Sequence, residues 1–246
     1  SRIFTVSDAC GHNRSCTQTI NVNDNTPPQI TTCPPSYLLE GCGTGAITGL
    51  TFSTTSVTIT QAQFESIGGV ASDACGISTY SYVDSQSGTC PILVTRTFTL
   101  TDACNRTTTC TQTITIDDNT NPQITTCPGT LNIEGCGTPA ILAQTGLAYS
   151  AVTVNISLAQ FSAAGGVATD ACGIATYRYI DTQSGTCPII VTRTYTVTDA
   201  CGNNISCTQT INVDDNTAPT ITTCPPTRNI EGCSTSAIPN PLPYST

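Results

Sequence analysis

Thr198-Asp199-Ala200-Cys201-Gly202-Asn203-Asn204-Ile205-Ser206-Cys207-Thr208-Gln209-Thr210-Ile211 places a Gly/Asn-rich turn beside a run of alternating polarity. Just upstream, Val191-Thr192-Arg193-Thr194-Tyr195-Thr196-Val197 sets Val, Arg, Tyr and Val on one face and Thr on the other. Residues 208–213 alternate in the same way. A period of two with one apolar face marks a half-buried strand. Two such runs around a turn of this composition predict a β-hairpin. The same stretch recurs at residues 7–20 and 101–114, and Cys10, Cys104 and Cys201 set the offsets at 94 and then 97 residues. Thr31-Thr32-Cys33-Pro34 returns at Thr125 and Thr222, and Glu40-Gly41-Cys42 returns at Glu134 and Glu231. Three residues are inserted in the second copy between Ile141 and Gly146.

A period near 95 is too long for one turn of a solenoid and matches one immunoglobulin-like β-sandwich. The expected fold is therefore all-β: tandem immunoglobulin-like sandwich modules with several disulfides each. The turn-rich Asn23-Asp24-Asn25-Thr26-Pro27-Pro28 and its counterparts at 117–122 and 214–219 mark the boundaries. They divide the chain into 1–24 (the end of a module), 27–118 and 121–215 (two complete modules) and 219–246 (the start of a fourth). Ser1 to Val6 reads as the middle of a strand, so the expectation is a window on a longer array. One short helix is expected at Thr60 to Ile67, with its counterpart from Ser157, each ended by Gly-Gly.

Composition narrows the function classes. Sixteen cysteines in 246 residues point to an oxidising, extracellular setting. Zinc fits poorly, because His12 is the single histidine and the close cysteine spacings are five, eight and fourteen intervening residues. The net charge of −9 argues against nucleic acid as a partner. Without lysine, Lys–Asn isopeptide cross-links cannot form, so cystines must serve as the covalent staples. No apolar run approaches the roughly 18 residues of a membrane span. Catalysis finds no support: one His and no Lys remove the usual general bases, and no nucleophile or phosphate-loop motif is present. The chain is expected not to be an enzyme. Arg2, Arg96 and Arg193 stand among the apolar positions of equivalent strands and, if buried, must be paired. The N-x-S/T sequons at Asn13, Asn105, Asn155 and Asn204 read as turn composition.

The order C-P … E-x-C, D-A-C-G, a Cys before an R-T-x-T strand, T-D-A-C-G-N … C-T-Q-T-I and D-D/N-N-T-x-P resembles the HYR-like immunoglobulin repeats of large Bacteroidota cell-surface adhesins, including gliding-motility adhesins. The resemblance covers essentially the whole chain. It implies an extracellular, bacterial cell-surface fibre exported through the type IX pathway, with flanking repeats of the same chain as its immediate partners. The segments 50–68 and 147–165 are longer than in the simplest repeats of that kind. A second likeness is local: Asn21-Val22-Asn23-Asp24-Asn25-Thr26-Pro27 is similar to the D-x-N-D-N-x-P junction of cadherins, where calcium stiffens the hinge.

Sandwich geometry puts Cys33, Cys75, Cys104 and Cys110 at one end of the first module and Cys42 and Cys90 at the other. The adhesin resemblance implies that the C-P cysteine joins the last strand. Together these give Cys33–Cys110, Cys75–Cys104 and Cys42–Cys90, then Cys127–Cys207, Cys172–Cys201 and Cys136–Cys187. On this scheme Cys10, Cys16, Cys224 and Cys233 have partners outside the window. A local scheme stays open: Cys10–Cys16, Cys33–Cys42, Cys75–Cys90, Cys104–Cys110, Cys127–Cys136, Cys172–Cys187, Cys201–Cys207 and Cys224–Cys233.

Calcium is the one candidate cofactor, and it needs six to eight hard oxygen ligands. The end-of-module logic gathers Glu40, Asp117, Asp118, Asn119, Asp170 and Asp199 at one junction. Asp24, Asn25, Asp73 and Asp102 belong to the junction before it, and Glu134, Asp214 and Asp215 to the one after. The same Asp and Asn residues are also ordinary turn formers that accept backbone N–H groups, and both readings stand. The function expected is a stiff, stapled stalk in an adhesive surface fibre. Direct gripping of glycans or surfaces by each repeat is the alternative, as is a spacer in a large secreted enzyme.

Overall fold

The computed structural model describes residues 1–224 and 226–234. An isolated hairpin comes first, β1 (Arg2–Ser7) with β2 (Asn13–Gln18). A first sandwich unit follows, with strands β3 (Gln29–Thr32), β4 (Tyr37–Glu40), β5 (Val57–Ile59), β6 (Val70–Ser72), β7 (Ile77–Ser87), β8 (Ile92–Asp102) and β9 (Thr107–Asp117). A second unit repeats it with β10 (Gln123–Thr126), β11 (Leu131–Glu134), β12 (Val154–Ile156), β13 (Val167–Thr169), β14 (Ile174–Ser184), β15 (Ile189–Asp199) and β16 (Asn204–Asp214). Each unit has a five-stranded sheet, in the orders β4-β9-β8-β7-β5 and β11-β16-β15-β14-β12, and a two-stranded sheet, β3-β6 or β10-β13. Strands β4 and β11 run parallel to β9 and β16, and the other pairs are antiparallel. These are immunoglobulin-like sandwiches. Part of the expected fourth module, residue 225 and residues 235–246, lies outside the described residues.

The alternation in β15 governs the core. Val191, Arg193, Tyr195 and Val197 all point inward at 0–1% exposure, while the threonines between them face out. Strand β8 repeats this with Val94, Arg96, Phe98 and Leu100. The inward arginines are paired, as a buried charge must be. Arg193 donates through Nε and Nη2 to Asp181, both at 2.8 Å, and Nη2 also reaches the carbonyl of Ala148 at 2.8 Å. Its guanidinium lies 4.2 Å from the Tyr179 ring centroid. Burial works against this charge, but the Asp181 hydrogen bond and carboxylate outweigh it and raise the guanidinium pKa further. Arg96, Asp84 and Tyr82 form the same set in the first unit. Arg2 departs from the expectation: it is exposed, because β1 and β2 pair with each other alone.

The expected helices are α1 (Gln61–Ser66) and α3 (Leu158–Ala163). Thr60 and Ser157 cap them, each in a reciprocal capping box with Gln63 or Gln160, and Phe64 and Phe161 plug the core. The inserted residues form a helix that the alternation does not announce, α2 (Pro139–Thr145), between β11 and β12. It starts on a proline, ends on left-handed Gly146 and buries Ile141. The first unit has a single 3-10 turn there, Thr44–Ala46.

Candidate functional site: the junction between units

The covalent pattern locates the site. Cys33 is bonded to Cys110 and Cys127 to Cys207, with Cα atoms 6.0 Å apart in each pair. Each bridge ties the segment after the first strand of a unit to its last long strand, against the core. The other two bridges correct the sequence reading. Cys42 is bonded to Cys172 and Cys90 to Cys201, at Cα separations of 5.0 and 5.2 Å. The expected pairs Cys42–Cys90 and Cys172–Cys201 are therefore replaced by two bridges that cross from one unit to the next. Cys75, Cys104, Cys136 and Cys187 are free, so Cys75–Cys104 and Cys136–Cys187 do not form. None of the local pairs forms, and Cys10, Cys16, Cys224 and Cys233 are also free. Each unit holds one internal disulfide and shares two more with its neighbour.

Strand pairing explains the crossing. Strand β4 runs parallel beside β9, so Glu40 stands opposite Asp117 and Cys42 emerges next to the chain that enters the second unit. Cys90 lies just before β8, whose first residue Ile92 pairs with Ile116 on the other side of β9. Both cysteines thus flank the connecting chain. At the facing end of the second unit, the Asp170-Ala171-Cys172 and Asp199-Ala200-Cys201 turns present their sulfurs. Each turn is held by its aspartate: Asp170 Oδ1 accepts from Cys172 N at 2.7 Å, and Asp199 Oδ1 accepts from Cys201 N at 2.8 Å. Separations of 5.0 and 5.2 Å lie well inside the range a disulfide spans.

The six acids and amides expected at this junction divide by role. Glu40 clasps the connecting chain: its carboxylate accepts from Asn119 N at 2.9 Å, Asn119 Nδ2 at 3.4 Å and Thr120 Oγ1 at 2.9 Å. These bonds, led by that from the Asn119 N–H, hold the Glu40 pKa below the ordinary glutamate value. Asp117 stands beside the Cys90–Cys201 bridge, its Oδ1 3.3 Å from Cys90 Sγ. Asp118 lies close to Asp170, and Asp199 stands within electrostatic reach of it. Asp118 is 4% exposed; its Oδ1 accepts from Thr120 N at 3.1 Å, while its Oδ2 is buried without a hydrogen-bond partner. Desolvation first, then the Asp170 charge, the neighbouring Glu40 carboxyl and the Asp199 charge push the Asp118 pKa up, against the Thr120 N–H bond that lowers it. Asp199 moves the other way: burial opposes its ionisation, but bonds from Asn203 and the turn N–H groups prevail and lower its pKa. Carboxylate and sulfur atoms of Asp118, Asp170 and Cys172 lie within 4.8 Å of one another. Bonded Cys172 brings no thiolate, so any metal there would rest on oxygen.

The junction before the first unit repeats the acids with one change. Asp24 Oδ2 and Asp102 Oδ2 are buried and unpartnered, and Asp73 Oδ1 accepts from Cys75 N at 2.8 Å. Arg106 stands where the second unit has Asn203. It donates to the Asp24 carbonyl at 3.0 Å and to Asn25 Oδ1 at 2.6 Å, so a fixed cation already sits by this cluster. After the second unit, Glu134 clasps Asn216 and Thr217 as Glu40 clasps Asn119 and Thr120, and Asp214 and Asp215 lie beside Cys187 and Cys136. Composition alone did not single out Arg106 or Asn203. The signal available was their matched place after T-D-A-C in consecutive copies.

No known family profile and no curated protein sequence matches the chain. Solved structures with some likeness are immunoglobulin and cadherin extracellular domains. The N-terminal Ig1–2 module of the Drosophila receptor protein tyrosine phosphatase DLAR aligns with 77% of this chain and 100% of that one, at 11% identity and a TM-score of 0.21. Cadherin domains 1–4 of protocadherin gamma B7 align with 78% of this chain and 52% of that one, at 12% identity and 0.27. The human desmocollin-1 ectodomain aligns with 89% and 48%, at 13% identity and 0.24. Likeness at this level carries no argument about function. Among the described residues, no helix is long and apolar enough to cross a membrane.

Proposed function

We propose that the chain is a structural segment of an extracellular adhesive fibre, a stalk whose consecutive sandwiches are locked to each other covalently. The observation that carries this reading is the pair of bridges across the junction, Cys42–Cys172 and Cys90–Cys201. A single peptide linker lets two domains swing about it. Here three covalent connections join the units, two cystines and the chain 118–122, with the Glu40 clasp pinning the last of them. In the chain-entropy account, a bridge spanning 130 residues lowers unfolded-state entropy by about 5 kcal/mol, and one spanning 77 residues by about 4.5 kcal/mol. The two crossing bridges are not additive, because closing one shortens the loop left for the other. The resemblance to HYR-like adhesin repeats supplies the setting: a bacterial surface fibre exported by the type IX route, with gliding motility as its use.

Scattering measures the rigidity. In solution the oxidised chain is expected to give one narrow distribution of unit-to-unit distances, and Cys42→Ser with Cys90→Ser a broad one. Equal distributions would count against a locking role.

Calcium at the junction is a second reading, favoured by the buried, unpartnered Asp118 Oδ2, with Asp170 close by and Asp199 near enough to raise the Asp118 pKa. These three carboxylates would hold the ion, whose two positive charges would offset the crowding that raises the Asp118 pKa. Glu40 and Asn119 act as the clasp, and the Glu40 carboxyl also couples to Asp118 at the edge of this set.

A further inference from the structure

The ends of the two-unit body repeat the geometry of its bonded junction. Cys136 follows β11 as Cys42 follows β4, and the clasps superimpose in kind: Glu134 accepts from Asn216 N at 2.9 Å, Asn216 Nδ2 at 3.3 Å and Thr217 Oγ1 at 3.1 Å. Cys187 Sγ lies 3.5 Å from Asp214 Oδ1, as Cys90 Sγ lies 3.3 Å from Asp117 Oδ1. At the opposite end, Asp73 accepts from Cys75 N at 2.8 Å and Asp102 from Cys104 N at 2.7 Å, the same turns that aim Cys172 and Cys201. All four of these cysteines are exposed and free, although each occupies a position that is bonded at the central junction.

We propose that these cysteines are two halves of a connector for further repeats of the same kind. Cys136 and Cys187 bond the cysteines of a following repeat that stand where Cys172 and Cys201 stand in the second unit. Cys75 and Cys104 receive the bridges of a preceding repeat. The result is a covalent ladder with two cystines at every junction, so that pulling on the fibre loads disulfides as well as single linkers. This deepens the stalk reading and rests on it. Each rung forms by exchange with a disulfide oxidant, a thiol–disulfide oxidoreductase or oxidised glutathione. Two protein thiols become one cystine through a mixed disulfide, and the oxidant's disulfide leaves as two thiols. Acids flank the waiting thiols: Cys136 Sγ lies 3.4 Å from Asp215 Oδ2, and Cys75 Sγ lies within 4.8 Å of carboxylate oxygens of Asp24 and Asp73.

The test inserts one more copy of residues 119–215 directly after Asp215 of the full chain, so that the Asn-Thr pair held by Glu134 is kept, and refolds it in a glutathione buffer. Mass spectrometry of non-reduced peptides is expected to find Cys136 and Cys187 joined to the added copy's counterparts of Cys172 and Cys201, with the free-thiol count unchanged from the parent chain. Extra alkylatable thiols, or a Cys136–Cys187 bridge within one unit, would overturn the ladder. The Cys42–Cys172 and Cys90–Cys201 peptides in the same digest separate the two failures. Their absence sinks the stalk reading, whereas their presence without the new bridges sinks only the ladder. Should the added copy lack its own counterpart of Cys127–Cys207, the parent chain oxidised at high concentration decides. End-to-end dimers joining Cys136 and Cys187 to Cys75 and Cys104 support the connector, and bridges within one end refute it.

Discussion

Asp181→Ala strips the counter-charge from an arginine at 0% exposure. Asp181 takes two charge-assisted hydrogen bonds from Arg193 at 2.8 Å, and its Oδ2 also accepts Ser150 N at 3.0 Å, fastening residues 147–150 over the sheet edge. Removing one partner of a buried pair costs about 3–5 kcal/mol, because the charge left behind has neither water nor a counter-ion. The Ala148 carbonyl and Tyr179 ring remain near the guanidinium and soften this, so the expected loss is about 4 kcal/mol. The double substitution Asp181→Leu with Arg193→Met removes both charges and fills the space. It leaves Ser150 N without its acceptor, at about 1–2 kcal/mol, while Ala148 O keeps the Tyr179 hydroxyl at 2.7 Å. The single change should therefore hurt more than the double. Urea unfolding of the oxidised chain, followed by tyrosine fluorescence, measures both, since Tyr179 and Tyr195 report on the site. A loss below about 1 kcal/mol for Asp181→Ala, or a double variant as unstable as the single, would refute the reasoning that the pair is held by mutual need.

Calcium is expected to raise the melting temperature of the chain, with EGTA reversing the gain and Asp118→Asn abolishing it; calorimetry reads all three. Without calcium, the raised Asp118 pKa means the folded state binds protons more tightly, so its ionisation weakens the fold as pH rises through that pKa, and Asp118→Asn should be neutral or stabilising at neutral pH. Glu40 has the opposite sign. Its lowered pKa gives stability present above the unfolded value and lost as pH falls through the folded one, so Glu40→Gln should flatten the acid limb of a stability–pH profile. Gly166→Ala should destabilise the second unit by about 1–3 kcal/mol in chemical denaturation, because a Cβ there would run into the Phe161 ring.

The hairpin, the inward Val-Arg-Tyr-Val face and helix α3 were legible in residues 157–213, because each depends on local alternation or a Gly-Gly stop. Helix α2 was not, since its signal is a proline start and a glycine stop inside an insertion, with no strand period to break. The acids were found, but their division was not: that Glu40 clasps Asn119 while its carboxyl also couples to Asp118 depends on the parallel register of β4 on β9. The cysteines show the limit most clearly. Assigning them to opposite ends of a module is a matter of strand counting. The end-to-start meeting that gathers Glu40 with Asp170 and Asp199 also sets Cys42 and Cys90 opposite Cys172 and Cys201, but whether a cysteine bonds within its module or across the junction is not encoded in the spacing of a repeat. The exposure of Arg2 has a similar origin, since its strand pairs only with β2.

The most direct measurement of the covalent junction is a non-reducing peptide map of the full oxidised chain after proteolysis. The account predicts cross-linked peptides for Cys42–Cys172 and Cys90–Cys201 beside Cys33–Cys110 and Cys127–Cys207. Peptides joining Cys42 to Cys90 and Cys172 to Cys201 would contradict it, leaving two stapled units on an ordinary hinge.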